Sequence, residues 1–326
     1  MSRNSKKTAV PFSLAGILVI CLILFFQSDI LPFDNSSTET GNSAASNPSG
    51  VSSPSLLTEA QIYYIDVGQG DSELIRLKEK DGDSFDILID AGTRSTKQEL
   101  SDYLRQLGVQ DIDILIGTHP HEDHIGGMAQ IIQDFPVNAL YLPETSDDMT
   151  PTTKTYENLL NAVEEKNLSV YAGKAGQTIL DSENVSMTIL SPFGTDYEDL
   201  NLYSIVTRLT VGNTSFLFEG DAEMENEEEI LESNADISCD VIKLGHHGSS
   251  TSSLEEYIKA AAPEDAVISC GIDNDYGHPH KETLDLMEKL GINIYRTDQQ
   301  KTLLAKTDGN NISWETGLYS VIDAAS

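Results

Sequence analysis

All seven histidines of this 326-residue chain fall in three short clusters: His119, His121 and His124 in THPHEDH, His246 and His247 in LGHHGS, and His278 and His280 in YGHPH. Histidines used for ordinary packing scatter along a sequence, whereas imidazole is the commonest protein ligand for transition metals. Two clusters directly follow apolar, strand-like runs, DILIGT (113–118) and DVIKLG (240–245). A fold for this chain therefore has to bring strand ends that are far apart in sequence to one place, as a metal site built from separated clusters requires.

The rest of the chain offers the strands to do so. Short apolar runs recur at 62–67, 72–77, 85–91, 113–118, 138–143, 185–190, 204–211, 214–221, 240–245, 265–271, 293–297 and 302–307, with helical periodicity at 96–107, 125–134, 154–166, 223–232, 253–261 and 281–290. Gly212-Asn213 between two runs signals a tight hairpin. This mixture predicts an α/β layered domain with more than one sheet over 61–326. Apolar residues make up 39% of the sequence, enough for a packed core.

Two further segments precede that domain. Residues 1–33 read as a signal anchor or signal peptide, with Arg3, Lys6 and Lys7 ahead of an uncharged apolar run from Phe12 to Phe26. An uncleaved anchor is the favoured reading, with the remainder exported by the charge asymmetry. Residues 34–60 read as a flexible linker rich in Ser, Thr and Asn. Cys21 lies in the apolar run. Cys239 and Cys270 read as single buried thiols, although the spacing leaves open whether they pair.

The first histidine cluster carries the densest signal. His119, His121, Asp123 and His124 sit on the turn after a strand and open a helix, a ligand set suited to two neighbouring divalent cations, Zn or Mn. Asp221, at the end of an apolar strand in FEGDAE, is placed to bridge the two. Asp90 in LIDAG is placed behind them, to accept a hydrogen bond from a ligand histidine, and His280 is assigned to the same outer layer. Of the adjacent pair, His247 is favoured as a metal ligand and His246 as the residue facing substrate; of the last pair, His278 is favoured for metal. His246, Asp123 and Lys243 are the candidates for acting on substrate.

DVGQGDS (66–72), LIDAG (88–92), THPHEDHIGG (118–127), FEGDAE (218–223), KLGHHGS (243–249) and GHPH (277–280) together resemble the metallo-β-lactamase superfamily, specifically the C-terminal hydrolase domain of ComEC/Rec2 competence proteins. The resemblance runs from about Ile62 to Thr307. It implies a four-layer αββα sandwich with two metals at one edge of its sheets. By that resemblance His119, His121 and one histidine of the HHGS pair hold the first metal. Asp123, His124 and His278 hold the second, with Asp221 between them. No histidine occurs from 125 to 245, where many superfamily members have another ligand; NLYS at 201–204 resembles the ComEC-like branch instead. Competence proteins of that type also carry a polytopic membrane channel, and this chain shows a single hydrophobic run.

The expected function is an extracytoplasmic, metal-dependent phosphodiesterase, with a nuclease acting on DNA as the favoured reading. The alternatives are an esterase of cell-envelope groups such as choline phosphate, or a metal-stabilised binding protein without turnover. Beyond the substrate and the membrane reached by the N-terminal segment, no protein partner is expected. Fifty-three acids against 20 bases give a formal charge of −33, which excludes gripping phosphate backbones by a basic face. The acids from Glu223 to Glu232 read as a solvated helical face.

Overall fold

The computed structural model describes residues 57–79 and 82–325. The hydrophobic segment at 1–33, with Cys21, and the linker up to residue 56 lie outside them. No helix among the described residues is long and apolar enough to cross a membrane.

Two mixed sheets are formed, with strands numbered along the chain. The first contains β1 (Leu57–Tyr64), β2 (Glu73–Glu79), β3 (Ser84–Ile89), β4 (Ile112–Ile116), β5 (Val137–Pro143) and β6 (Val170–Gly173), extended by β14 (Thr302–Thr307) and β15 (Ile312–Leu318). Its order is β15-β14-β1-β2-β3-β4-β5-β6. The second contains β7 (Thr178–Asp181), β8 (Val185–Ser191), β9 (Val206–Val211), β10 (Thr214–Phe218), β11 (Val241–Lys243), β12 (Asp265–Ile268) and β13 (Asn293–Arg296), in the order β13-β12-β11-β10-β9-β8-β7.

The side-chain period of two explains the layering. In β3, Ile87 and Ile89 point into an inter-sheet core shared with Met187, Ile189 and Phe216 of the second sheet. Leu88, between them, joins an outer core with Leu115 and Leu140. That core is closed by α1 (Lys97–Gln106), α3 (Met128–Asp134) and α4 (Lys154–Lys166), with the short α2 (Glu122–Ile125) preceding α3. Leu217, Ile242 and Ala266 do the same on the far face of the second sheet. There they meet α5 (Met224–Ser233), α6 (Glu255–Ala261) and α7 (Lys281–Leu290). Strands buried on both faces read as continuous apolar runs, and the central parallel strands β3, β4, β5, β10, β11 and β12 are the ones that do. The order of layers is helix, sheet, sheet, helix.

Some boundaries differ from the sequence reading. β1 begins at Leu57, inside the stretch assigned to the linker, because Ala60 pairs with Thr307 on one side and Leu77 on the other. β6, β7 and β15 escaped the pattern search: they are edge strands, two of them only four residues long, where one-sided burial weakens the signal. The acidic helix α5 is not a uniformly solvated face. Glu227 is fully buried and accepts from Ser253 N and Leu254 N at 2.6 Å each. Cys239 and Cys270 are both buried and free. The hairpin at Gly212-Asn213 is present, joining β9 to β10 with Val211 opposite Thr214.

Arg76 and Asp86 form a buried, two-pronged ion pair across β2 and β3, at 2.9 and 3.0 Å. Arg76→Ala strands a carboxylate in the interior and should cost about 3–5 kcal/mol in equilibrium urea unfolding, the usual range for breaking such a pair. An unchanged midpoint would show that the pair contributes nothing net.

Candidate metal centre

The loops leaving β3, β4, β10, β11 and β12 converge at one edge of the sandwich, where parallel strands of an α/β layer end. β3 ends at Ile89, and Asp90 turns the chain with a φ of 54°. Its carboxylate is fully committed: Oδ1 accepts from Thr118 N at 2.8 Å, and Oδ2 accepts from Thr118 Oγ1 at 2.6 Å and from His124 Nδ1 at 2.7 Å. Holding the proton at His124 Nδ1 leaves Nε2 as the free ring nitrogen, the role expected of a carboxylate behind a ligand histidine.

Asp221 follows β10, its N–H donating to Ser204 Oγ at 3.2 Å. Its two oxygens face two different sets of ligands. Oδ1 lies 3.2 Å from His124 Nε2 and 3.5 Å from His247 Nε2, with Asp123 Oδ2 a further 3.4 Å from His247 Nε2. Oδ2 lies 3.8 Å from His119 Nε2, and His121 Nδ1 is 2.9 Å from that same nitrogen. Ligand atoms of Asp123, His124, Asp221 and His247 cluster within 4.8 Å of one another, as do those of His119, His121 and Asp221.

Of the HHGS pair, it is His246 whose Nε2 lies on the side of His119 and His121, 3.8 Å from Asp221 Oδ2, and the favoured ligand His247 lies on the other side, with Asp123 and His124. The cause is the turn after β11, in which His246 and His247 adopt consecutive left-handed conformations, φ 46° and 54°. Such backbone is costly for residues with a Cβ and collects at functional sites. It swings His247 inward, where Nδ1 donates to Ser269 O at 2.9 Å. His246 is left at the rim, with Nε2 3.8 Å from Asp221 Oδ2 and Nδ1 3.1 Å from both Glu223 Oε1 and Thr251 Oγ1.

Three other expectations change or weaken. Lys243 does not face a substrate: it is the fully buried last residue of the central strand β11, its ammonium paired with Asp71 and donating to Gly220 O at 3.1 Å. Burial alone would discharge it, but Asp71, Glu73 and Asp221 hold its pKa above the ordinary lysine value. His280 is not a partner of any ligand histidine; it is the residue at which the chain enters α7, and its Nδ1 accepts from Ser250 N at 2.9 Å. His278 belongs to neither ligand cluster, its ring standing 5.3 Å from that of His246 and 6.0 Å from that of His247. Burial and the three neighbouring imidazoles push it down to about 4, and its Nδ1 is buried without a partner.

Two residues escaped sequence reasoning. Asp71 lies beneath the centre, with Oδ1 3.3 Å from His247 Nδ1 and its N–H donating to Asp123 O. Gly70 beside it, at φ +146°, passes so close to α2 that a Cβ would come within 2.3 Å of Asp123 O. Asp71 lies in the turn ahead of β2 rather than just after a strand, so it lacked the signal that Asp90 carries directly after β3. Glu223 was absorbed into the charged helix, although it stands two residues after Asp221.

The electrostatics of this cluster call for cations. Burial alone would favour neutral imidazole at His247, but Asp221 and Asp71 outweigh it and push its pKa up to about 10. His124 is likewise raised well above the usual value, by Asp221, Asp90 and Asp123 acting against burial. Burial opposes the charged form of Asp221, yet His124 and His247 hold its carboxyl well below the usual range. His124 Nε2, His247 Nε2 and Asp221 Oδ1 converge while having no hydrogen-bond partner, an arrangement that costs free energy unless a cation shares them. The donor set of imidazole and carboxylate fits borderline divalent ions.

The sequence profile of the metallo-β-lactamase superfamily matches residues 65–272. The chain belongs to that superfamily. Its members are generally metallo-hydrolases. It is 33% identical over 266 residues to ComE operon protein 3 of Bacillus subtilis (strain 168), covering 77% of this chain and 33% of that protein. It is 29% identical over 242 residues to competence protein ComA of Neisseria gonorrhoeae, covering 74% of this chain and 31% of that one. With recombination protein 2 of Haemophilus influenzae the identity is 30% over 234 residues, covering 70% and 26%. These relatives are competence proteins of the ComEC/Rec2 type. The chain spans about a third of their length or less.

Two outcomes follow for this metallo-β-lactamase centre. Folded His247 keeps its proton up to about 10, whereas the unfolded imidazole loses it near 6.5. The metal-free protein binds more protons when folded throughout that window, so its stability falls as pH rises across it. Metal, which competes with those protons, should stabilise more strongly over the same rise. Thermal midpoints in EDTA that stay level or climb from pH 6.5 to 10 would contradict this. Separately, Asp90→Asn frees the His124 tautomer and should weaken metal binding roughly 10- to 100-fold by equilibrium dialysis; an unaltered dissociation constant would remove Asp90 from the account.

Proposed function

We propose that the chain is a two-metal phosphodiesterase acting on nucleic acid, exported and held at the membrane through its N-terminal segment. The observation that carries the two-metal reading is Asp221, whose oxygens face separate ligand sets. The phosphodiester substrate is supported by the competence proteins among the relatives. His119, His121 and Asp221 would hold one ion; Asp123, His124, His247 and Asp221 the other. A bound pair of divalent cations supplies an activated water and offsets charge that develops on phosphate oxygens.

The remaining chemistry falls to the chain's own residues. Asp90, with Asp71 and Ser269 O, fixes which nitrogen of His124 and of His247 is free, so the ligand shell is set before substrate arrives. Asp123, about 29% exposed, is the ligand carboxylate open to the substrate side. His246 is placed to move the proton. It is 23% exposed, and Glu223 accepts from its Nδ1, which orients the ring and leaves Nε2 to pass a proton to the leaving oxygen. Glu223 responds in kind, its carboxyl lowered by that hydrogen bond.

With Mn²⁺ or Zn²⁺, the purified domain should hydrolyse bis-p-nitrophenyl phosphate and single-stranded DNA. Asp221→Asn should cut kcat by about a thousandfold or more, because metal ions supply several kcal/mol at 1.36 kcal/mol per decade. His246→Gln should lower kcat by about 10² to 10⁴ while metal content stays unchanged. Turnover of p-nitrophenyl phosphorylcholine without cleavage of either phosphodiester would replace the nuclease reading with an envelope esterase. Two tightly bound metals with no turnover at all would make the chain a binding protein.

A further inference from the structure

We propose that Tyr276 is a stacking platform for an unpaired nucleobase beside the metal centre, which would make single-stranded nucleic acid the preferred substrate. This deepens the phosphodiesterase reading and rests on it. The loop from 271 to 280 leaves β12 and ends on His278 and His280. It carries Ile272, 73% exposed, and Tyr276, 66% exposed, two of the four large apolar side chains that stand out in solvent among the described residues. Isolated exposed apolar residues need no explanation, but two on one short loop at the mouth of a polar site do.

The loop is built to hold its shape. Asn274 Nδ2 donates to Gly271 O at 2.9 Å and to His278 O at 2.7 Å, while its Oδ1 accepts from His278 N at 3.0 Å. At the loop's root, Gly271 N donates to Gln69 Oε1 at 3.1 Å. The Tyr276 ring lies 5.7 Å from that of His278 and within 20° of parallel to it. His278 in turn stands 5.3 Å from His246. The platform therefore stands at the rim of the centre, two rings out through His278 and His246, beside the path of a strand whose phosphate is being cut.

Charge selects which part of the substrate this loop can receive. Residues 271–280 contain Asp273 and Asp275 and no lysine or arginine, so the loop repels phosphates and offers only an uncharged face. A single aromatic face next to an aliphatic residue suits a base, which stacks whatever its identity. A quaternary ammonium is better served by a cage of several aromatic rings. Bases in a duplex have both faces covered, hence the preference for a single strand.

The test compares a phosphorothioate oligodeoxynucleotide of roughly ten nucleotides with an abasic chain of the same length, by fluorescence anisotropy on the Mn²⁺-loaded protein. Wild type should bind the base-bearing strand about 5- to 150-fold more tightly, the span expected for one stacked base. Tyr276→Ala should abolish that preference and Tyr276→Trp should retain it, with metal content and thermal midpoint unchanged in both. Equal affinity for the two strands in wild type overturns the platform. So does a preference that survives Tyr276→Ala, or a Tyr276 dependence seen only with free phosphorylcholine. Cleavage of an unmodified oligonucleotide is read separately: a base preference without cleavage leaves the platform and removes the phosphodiesterase reading, whereas cleavage without a base preference does the reverse.

Discussion

The structure turns on one buried carboxylate with a different neighbourhood at each oxygen. Asp221 is 2% exposed, and around it three further carboxylates, Asp71, Asp90 and Asp123, meet four imidazoles and one ammonium. Burying so many ionisable groups is expensive unless charges are paired and lone pairs used. Metal-free, the cluster resolves this by keeping protons on His124 and His247 far beyond their ordinary range. Those protons occupy the positions where divalent charge belongs. Lys243, deep under the site and paired with Asp71, is the only permanent cation there among the described residues.

The fold makes this cluster possible through its parallel strands. β3 and β4 in one sheet, and β10, β11 and β12 in the other, all release their chains at the same edge. β4 supplies four groups, His119, His121, Asp123 and His124, and the others one or two each, from the residues that follow the strand end. Side chains placed this way inherit the rigidity of a core closed on both faces of both sheets. The costly left-handed pair His246 and His247 is held by Gly220 O, Ser269 O and Glu223, contacts from three other segments. Overall charge then matters less than its placement: a net −33 coexists with a centre starved of positive charge.

Much of this was legible in the sequence because metal chemistry restricts ligand types so severely. His119, His121, Asp123, His124, Asp221 and His247 could be picked out by density and by position after apolar runs, and Asp90 by its turn. The pairing of His247 could not, since it depends on two positive φ angles that no residue type there announces. Lys243 misled for a related reason: its nearness in sequence to HHGS says nothing about which way a strand residue faces. Asp71 stands ahead of β2 rather than after a strand end, whereas Glu223 carries the same signal as Asp221. They were passed over because one sits in a glycine-rich turn and the other at the head of an acidic helix. The layered fold followed from alternating apolar runs, while short edge strands such as β6 and β7 bury too little on either face to show the same periodicity.

The most direct measurement of the account is the number and position of bound metals. Crystals of the Mn²⁺-loaded domain, examined by anomalous diffraction at the metal edge, should show two ions about 3.5–4 Å apart on either side of Asp221. One should lie against His119 and His121, the other against Asp123, His124 and His247. A single ion, or a pair that leaves Asp221 unshared, would contradict the central claim.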